Sequence, residues 1–186
     1  MSKVNKNLKP IFLVKPYNDD YGSVEISGGG VILYRIKNDE LQLLLMINRG
    51  KYEDLGGTSE SKDKDIYQTV AREVCEESNE LISKKSILSR IKESEYILSK
   101  TSKYILFIIK ANKQESELSS EEFGEREIHD NIPRTVEWIP ISEFLNSETI
   151  KNKLNFRLKN RNIFEYLKKL DPGQQAPFQK RINYLF

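Results

Sequence analysis

The sequence predicts an α/β domain with a mixed β-sheet between helical layers, and three observations carry that prediction. Two aliphatic and β-branched runs, VEISGGGVILYRI at 24–36 and LQLLLMINR at 41–49, flank the polar KNDE and read as an antiparallel hairpin. The pair Gly56–Gly57 then leads into a stretch whose apolar residues recur at helical spacing. More strand-like runs follow, and helical patterns come last, the order of an α/β arrangement.

Each element follows from its own residues. Residues 1–23 form an N-terminal extension or strand. The glycines at 28–30 mark a bulge or a close backbone approach. Gly56 and Gly57 lie in a turn. Asp65 is the N-cap of the next helix, with Gln68 at capping-box spacing. Ile66, Val70, Val74 and Leu81 form its buried stripe. SEYILSK and SKYILFIIKAN are two strands joined near Lys100–Ser102. An acidic loop, KQESELSSEEFGEREIHDNIP, leads to the strand TVEWIP, with Trp138 in the core. ISEFLN and NRNIFEYLKKL are helical, and DPGQQAPFQKRINYLF is a mostly irregular tail. The main domain is expected over 24–148, with a basic helix and tail at 149–186 packing on it.

Composition narrows the function classes. A chain of 186 residues, 38% hydrophobic, can bury one substantial core. Thirty Lys and Arg against 28 Asp and Glu leave a net charge of +2, with no global signature of nucleic-acid or membrane binding. A local basic face remains compatible with that total. One cysteine, Cys75, allows no intramolecular disulfide and no cysteine zinc site, and its place on a helix reads as packing. His129 is the only histidine, which removes Ser/His/Asp and Cys/His catalysis wherever it would need companions. No signal-peptide pattern opens the chain, and no run approaches the roughly eighteen apolar residues of a membrane span. A cytoplasmic location, with no membrane partner, is the expectation.

The most informative stretch is REVCEES, which sets Glu73, Glu76 and Glu77 within five positions. Offsets of three and four place them on one helical face, with Glu80 close to it. Like charges at that spacing repel, and the helix dipole opposes acids near a C-terminus. A solvated acidic face would absorb this. Two neighbours point elsewhere: Arg72 can orient a carboxylate, and a glycine carbonyl before the helix can approach the acids. Convergent hard oxygens of this kind suit Mg2+ or Mn2+.

These residues resemble the Nudix box, GX5EX7REUXEEXGU, with U a bulky aliphatic. REVCEE at 72–77 matches its REUXEE core at every specified position, and Gly57, beside Gly56, matches the leading glycine. Asp63 stands where a glutamate is expected, eight residues rather than seven before Arg72. Asn79 replaces the glycine after EEX, a residue that can also take the left-handed conformation ending a helix. The flanking strand order is likewise similar to the family's α/β/α sandwich. The resemblance implies a metal-dependent hydrolase of a nucleoside diphosphate linked to another moiety. It implies that Glu73, Glu76 and Glu77 ligate Mg2+ or Mn2+, that a Gly56 or Gly57 carbonyl adds a ligand, and that Arg72 orients Glu73. It further implies an extra acid from a later loop, for which Glu121, Glu122, Glu125 and Glu127 compete. Glu125 and Glu127 are favoured because Gly124 can turn the chain inward.

Other residues bear on the substrate. Tyr52 could stack on a base. The segment KNKLNFRLKNRNIFEYLKKL interleaves Lys151, Lys153, Arg157, Lys159, Arg161, Lys168 and Lys169 with Phe156, Phe164 and Tyr166. Solvated helix faces look like this, and so do tracks for a polyanion such as RNA. The candidate substrates are capped RNA, dinucleoside polyphosphates, nucleotide sugars and diphosphoinositol polyphosphates, with the family's decapping members a precedent for RNA. The competing readings are a Nudix-like module that binds nucleotide or RNA without hydrolysis, and a metal-independent RNA-binding domain.

Overall fold

The computed structural model describes residues 9–16 and 22–171, so nearly all of the expected irregular tail lies outside the described residues. The chain has the expected α/β character. Its described residues form β1 (Phe12–Val14), β2 (Val24–Ile26), β3 (Gly28–Lys37), β4 (Glu40–Asn48), β5 (Lys51–Glu53), β6 (Leu55–Thr58), α1 (Ile66–Glu77) and α2 (Lys84–Ile91). They continue with β7 (Tyr96–Ser99), β8 (Tyr104–Lys110), α3 (Lys113–Glu117), β9 (Thr135–Pro140), α4 (Ile141–Asn146), α5 (Glu148–Lys153) and α6 (Arg161–Leu170). A 3-10 turn occupies Phe156–Lys159. No helix among the described residues is long and apolar enough to cross a membrane.

The chain divides into two compact units. One holds the described residues up to Val31, with Leu55–Ile109 and Glu127–Ile132; the other holds Ile32–Asp54, Lys110–Arg126 and the described residues from Pro133.

In the first unit, β1 and β2 pair antiparallel, as do β7 and β8. β6 runs antiparallel to the start of β3, with Gly29 opposite Gly57 and Gly30 opposite Gly56. Gly56 and Gly57 are therefore in a strand and not in the expected turn. A Cβ on Gly28 would meet the Gly57 carbonyl and one on Gly56 would meet Gly30 Cα and the Gly29 carbonyl, so at these two positions the facing backbone leaves room for glycine alone. The close approach expected at 28–30 is real: a Cβ on Gly29 would lie 2.6 Å from both Val70 Cγ2 and Ile105 Cγ2. α1 begins as expected, Asp65 accepting from the Gln68 amide, but the Gln68 side chain caps the Lys64 amide instead of that of Asp65. Ile66, Val70, Ala71 and Val74 are buried, and the helix ends at Glu77, so Leu81 and Glu80 are not on it. Asn79 takes the anticipated left-handed conformation, φ 53°, and Glu80 follows at 64°.

In the second unit, β4 is the hub. It pairs antiparallel with β3 through the left-handed turn at Asn38 and Asp39, with β5, and with β9. Its Leu41, Leu43, Leu44 and Leu45 are buried, together with Phe123, Phe144, Ile150 and Leu158. Trp138 is half-buried rather than in the core. Its Nε1 donates to the Leu118 carbonyl at 2.9 Å, and the Arg35 guanidinium sits 4.2 Å from the ring centroid. The acidic loop contains α3, opened by a reciprocal capping box between Asn112 and Glu115.

Candidate active site

The site is built from two elements of the first unit, β6 and α1. The pairing of β6 with β3 fixes the backbone of Gly56 and Gly57, and Glu73 and Glu77, three and seven residues after Val70, lie on the same side of α1 as the buried Ile66–Val70–Val74 stripe, which faces that strand. Glu73 then lies against Gly57, where a Cβ would come within 2.6 Å of Glu73 Oε1. Glu77, one turn later and buried, accepts from the Gly56 amide at 2.5 Å. The helix thus meets both glycines through its glutamates.

Arg72 is the electrostatic centre. Its guanidinium is buried and holds Asp63 from two sides, Nε to Oδ1 at 3.2 Å and Nη2 to Oδ2 at 3.0 Å. Nη2 also donates to the Thr58 carbonyl at 3.0 Å, tying helix to strand. Nη1 faces Glu76 Oε2 at 2.8 Å, Glu73 Oε1 at 3.0 Å and Glu60 Oε1 at 3.4 Å. Arg72 thus pairs with both Glu73 and Glu76. Burial favours the neutral guanidine, but the Asp63 hydrogen bonds and the charges of Glu73 and Glu76 outweigh it and hold Arg72 firmly charged. Burial also raises the Asp63 carboxyl, but Arg72, the Glu60 amide and the Thr69 hydroxyl more than reverse this, leaving it below its ordinary value. For Glu73 burial wins: it pushes the carboxyl up to about 7 against the pull of Arg72.

Whether a divalent cation suits these residues depends on their donor chemistry. Glu73, Glu76, Glu77 and the carbonyls of Gly56 and Gly57 are hard oxygen donors, appropriate to Mg2+ or Mn2+. The glycine backbone also leaves the carboxylate of Glu73 room that any larger residue would fill. In their present arrangement, Glu73 and Glu76 are gathered on Arg72 Nη1 while Glu77 is held on the Gly56 amide. Among the described residues no group of three His, Cys, Asp or Glu side chains is drawn together as a metal cage. The donors fit the ion in kind, and two of the three carboxylates already share one cation.

The sequence assigns no contact to three further participants. Asp63 is the buried anchor of Arg72; its place in the box was legible, but its partner was not. Glu60 approaches Arg72, and Lys62 lies 3.1 Å from Glu60 Oε2 and 3.7 Å from Glu76 Oε1, adding an exposed cation beside the acids. Their only sequence signal is a position between Gly57 and Asp63.

The remaining candidates lie elsewhere or play other parts. Glu127 belongs to the same unit as α1. Its segment is joined to the end of that helix, where Asn79 Oδ1 accepts from the Ile128 amide at 2.9 Å and His129 Nε2 lies 3.5 Å from Glu80 Oε1. Glu125 belongs to the second unit, where it lines a cleft of about 280 Å3 with Glu121, Gly124 and Glu137. Gly124 has the positive φ, 69°, expected of a turn there. Glu122 accepts from the Ser119 amide at 2.8 Å. Tyr52 is half-buried in β5, and its carbonyl accepts from the Asn155 amide at 2.9 Å. The Arg157 guanidinium lies 3.5 Å from Glu53 Oε2 and 3.3 Å from the buried Asp54 Oδ1, so its charge serves the fold. Lys159 and Arg161 are exposed.

No family model matches the chain, and no curated protein does. Among solved structures, the chain is similar to a C. elegans Ap4A hydrolase in a binary complex: 16% identity, 78% of this chain, 94% of that one, TM-score 0.43. It is also similar to the NUDIX domain of Shewanella oneidensis NrtR complexed with ADP ribose: 14% identity, 64% of this chain, 75% of that one, TM-score 0.39. At these scores the likeness carries no argument about activity, which rests on the side chains above.

Proposed function

We propose that this protein is a metal-dependent pyrophosphohydrolase acting on a diphosphate that links a nucleoside to another group. One observation carries the reading: the Glu73 and Glu76 carboxylates meet on Arg72 beside Gly57, while Glu77 meets Gly56 from the next turn of the same helix. Repulsion among these acids is tolerated because a buried guanidinium, itself anchored by Asp63, holds them.

In this reading Glu73, Glu76 and Glu77, with a Gly56 or Gly57 carbonyl, hold Mg2+ or Mn2+. Such a cation, when bound, neutralises phosphate charge and lowers the pKa of water. Arg72 keeps Glu73 and Glu76 in place by charge-assisted bonds. Lys62 offers a cation at the rim for phosphate oxygens. Glu127 is the better candidate for the extra acid, because its segment is fastened to the end of α1 within one compact unit.

For the substrate, one feature of the second unit favours an extended polyanion such as RNA. Phe156 is 70% exposed although Leu154 and Leu158 on either side are buried. An aromatic ring held out by a fixed turn, with exposed Lys153, Lys159 and Arg161 nearby in the chain, suits base stacking over a basic track.

The test is a panel of capped RNA, dinucleoside polyphosphates, ADP-ribose, nucleotide sugars and inositol pyrophosphates with Mg2+ or Mn2+, with products identified. Glu76→Gln should lower turnover of the best substrate by at least about a hundredfold while leaving its binding. A wild-type protein that binds such compounds but cleaves none of them would instead be a binding module.

A further inference from the structure

Asn79 stands where the resembled motif has glycine, and its side chain makes a contact that glycine cannot. Helix α1 ends at Glu77, and the chain then turns through the left-handed Asn79 and Glu80. There Asn79 Oδ1 accepts a hydrogen bond from the Ile128 amide, 49 residues later, at 2.9 Å. The segment Glu127–Ile132 is itself closed by the Glu127 amide donating to the Ile132 carbonyl at 2.9 Å. Burial of Ile128 does not hold this segment, since Ile128 is 70% exposed. The neighbouring pair of Glu80 and His129 joins side chains 70% and 43% exposed, which water screens to a weak contact. The Asn79 bond is short and directional, and it grips the main chain one residue from Glu127.

We infer that Asn79 is a positioning residue: by holding the Ile128 amide it sets the Glu127 carboxylate at the end of the helix that carries Glu76 and Glu77. The inference rests on the hydrolase reading and adds to it the device that places the extra acid. It also accounts for the substitution. Asparagine tolerates the left-handed backbone better than other residues with side chains, and it supplies an acceptor that glycine lacks.

The experiment uses the full chain and the variants Asn79→Gly, Asn79→Asp, Glu127→Gln and Asn79→Gly with Glu127→Gln. Glycine adopts a φ of 53° without steric cost, so Asn79→Gly should not lower the unfolding midpoint. Hydrogen exchange should show the Ile128 amide opening about fivefold faster in Asn79→Gly and at the wild-type rate in Asn79→Asp. Mn2+ uptake, followed by electron paramagnetic resonance with the metal alone, should weaken in Asn79→Gly and recover in Asn79→Asp. The double variant should bind no more weakly than Glu127→Gln, because Asn79 acts through Glu127. Unchanged Ile128 exchange in Asn79→Gly would overturn the tether. Unchanged Mn2+ affinity in that variant, or a double variant whose losses multiply, would overturn the positioning role. A wild-type chain that takes up no Mn2+ would overturn the hydrolase reading as well, so the two failures are told apart by the wild type.

Discussion

At the scale of single residues, the pair Arg72–Asp63 decides the geometry of the acids. Both side chains are almost fully buried, 4% and 1% exposed, so each depends on the other for its charge. Asp63→Asn would leave the guanidinium with weaker neutral contacts and cost about 3 kcal/mol at pH 7, as breaking a buried pair does. The pH dependence has a definite sign. The folded-state pKa of Asp63 lies below its unfolded value. Its contribution is therefore complete above the ordinary aspartate pKa of about 3.9 and is lost as pH falls through the folded value. Urea unfolding should show a constant gap between wild type and Asp63→Asn from pH 7 to about 5, closing below about 4. A gap that widened on acidification would contradict this account. Glu73, Glu76 and Glu77 were legible as one face from their offsets alone. That Asp63 and Glu60 share Arg72 with them was not, because the loop that returns these two acids to the helix carries no periodic signal.

At the scale of elements, the meeting of β6 with α1 makes Gly56 and Gly57 fail in different ways. A Cβ on Gly56 would overlap the Tyr104 hydroxyl and Gly30 Cα, and the backbone contact cannot yield. Gly56→Ala should destabilise the fold by about 1–3 kcal/mol, read as a lower urea midpoint. A Cβ on Gly57 instead meets the end of the Glu73 side chain, which can swing away. Gly57→Ala should therefore keep most of its stability while turnover falls at least about tenfold, on the scale that misplacing a reacting group costs. Equal losses of stability in the two variants would show that Glu73 has no freedom to move. Longer elements were readable: β3, β4, β8 and α1 all carry sustained patterns. The shorter α2 and α5 were missed, since α2 buries only Ile87 and Ile91 and α5 only Ile150. For α3 a signal existed in Asn112 and Glu115 at capping-box spacing, hidden within an acidic run.

At the scale of the whole molecule, the basic segment splits into residues that hold the fold and residues that face solvent. Arg157 lies 3.3 Å from Asp54, which is fully buried, while Asn155 Nδ2 donates to Glu53 Oε1 at 3.0 Å. Arg157→Ala should cost about 2 kcal/mol in unfolding experiments, less than a fully buried pair because Arg157 keeps 15% exposure. Lys159→Ala and Arg161→Ala should leave stability within about 0.5 kcal/mol, as exposed substitutions do. If the polyanion reading holds, each should weaken RNA binding and flatten its dependence on salt. RNA binding unchanged by both exposed substitutions would remove that reading.

The sequence by itself determined the α/β class and the helix that carries Glu73, Glu76 and Glu77 at offsets of three and four. Those features follow from local periodicity and from the chemistry of residue types, which need no distant partner. Only the tertiary structure decided that the glycine pair lies in a strand facing Gly29 and Gly30, that Asp63 anchors Arg72, and that Arg157 is spent on Asp54. Each of these joins residues through close packing or buried charge, and such contacts exist only once the chain has brought separate elements together.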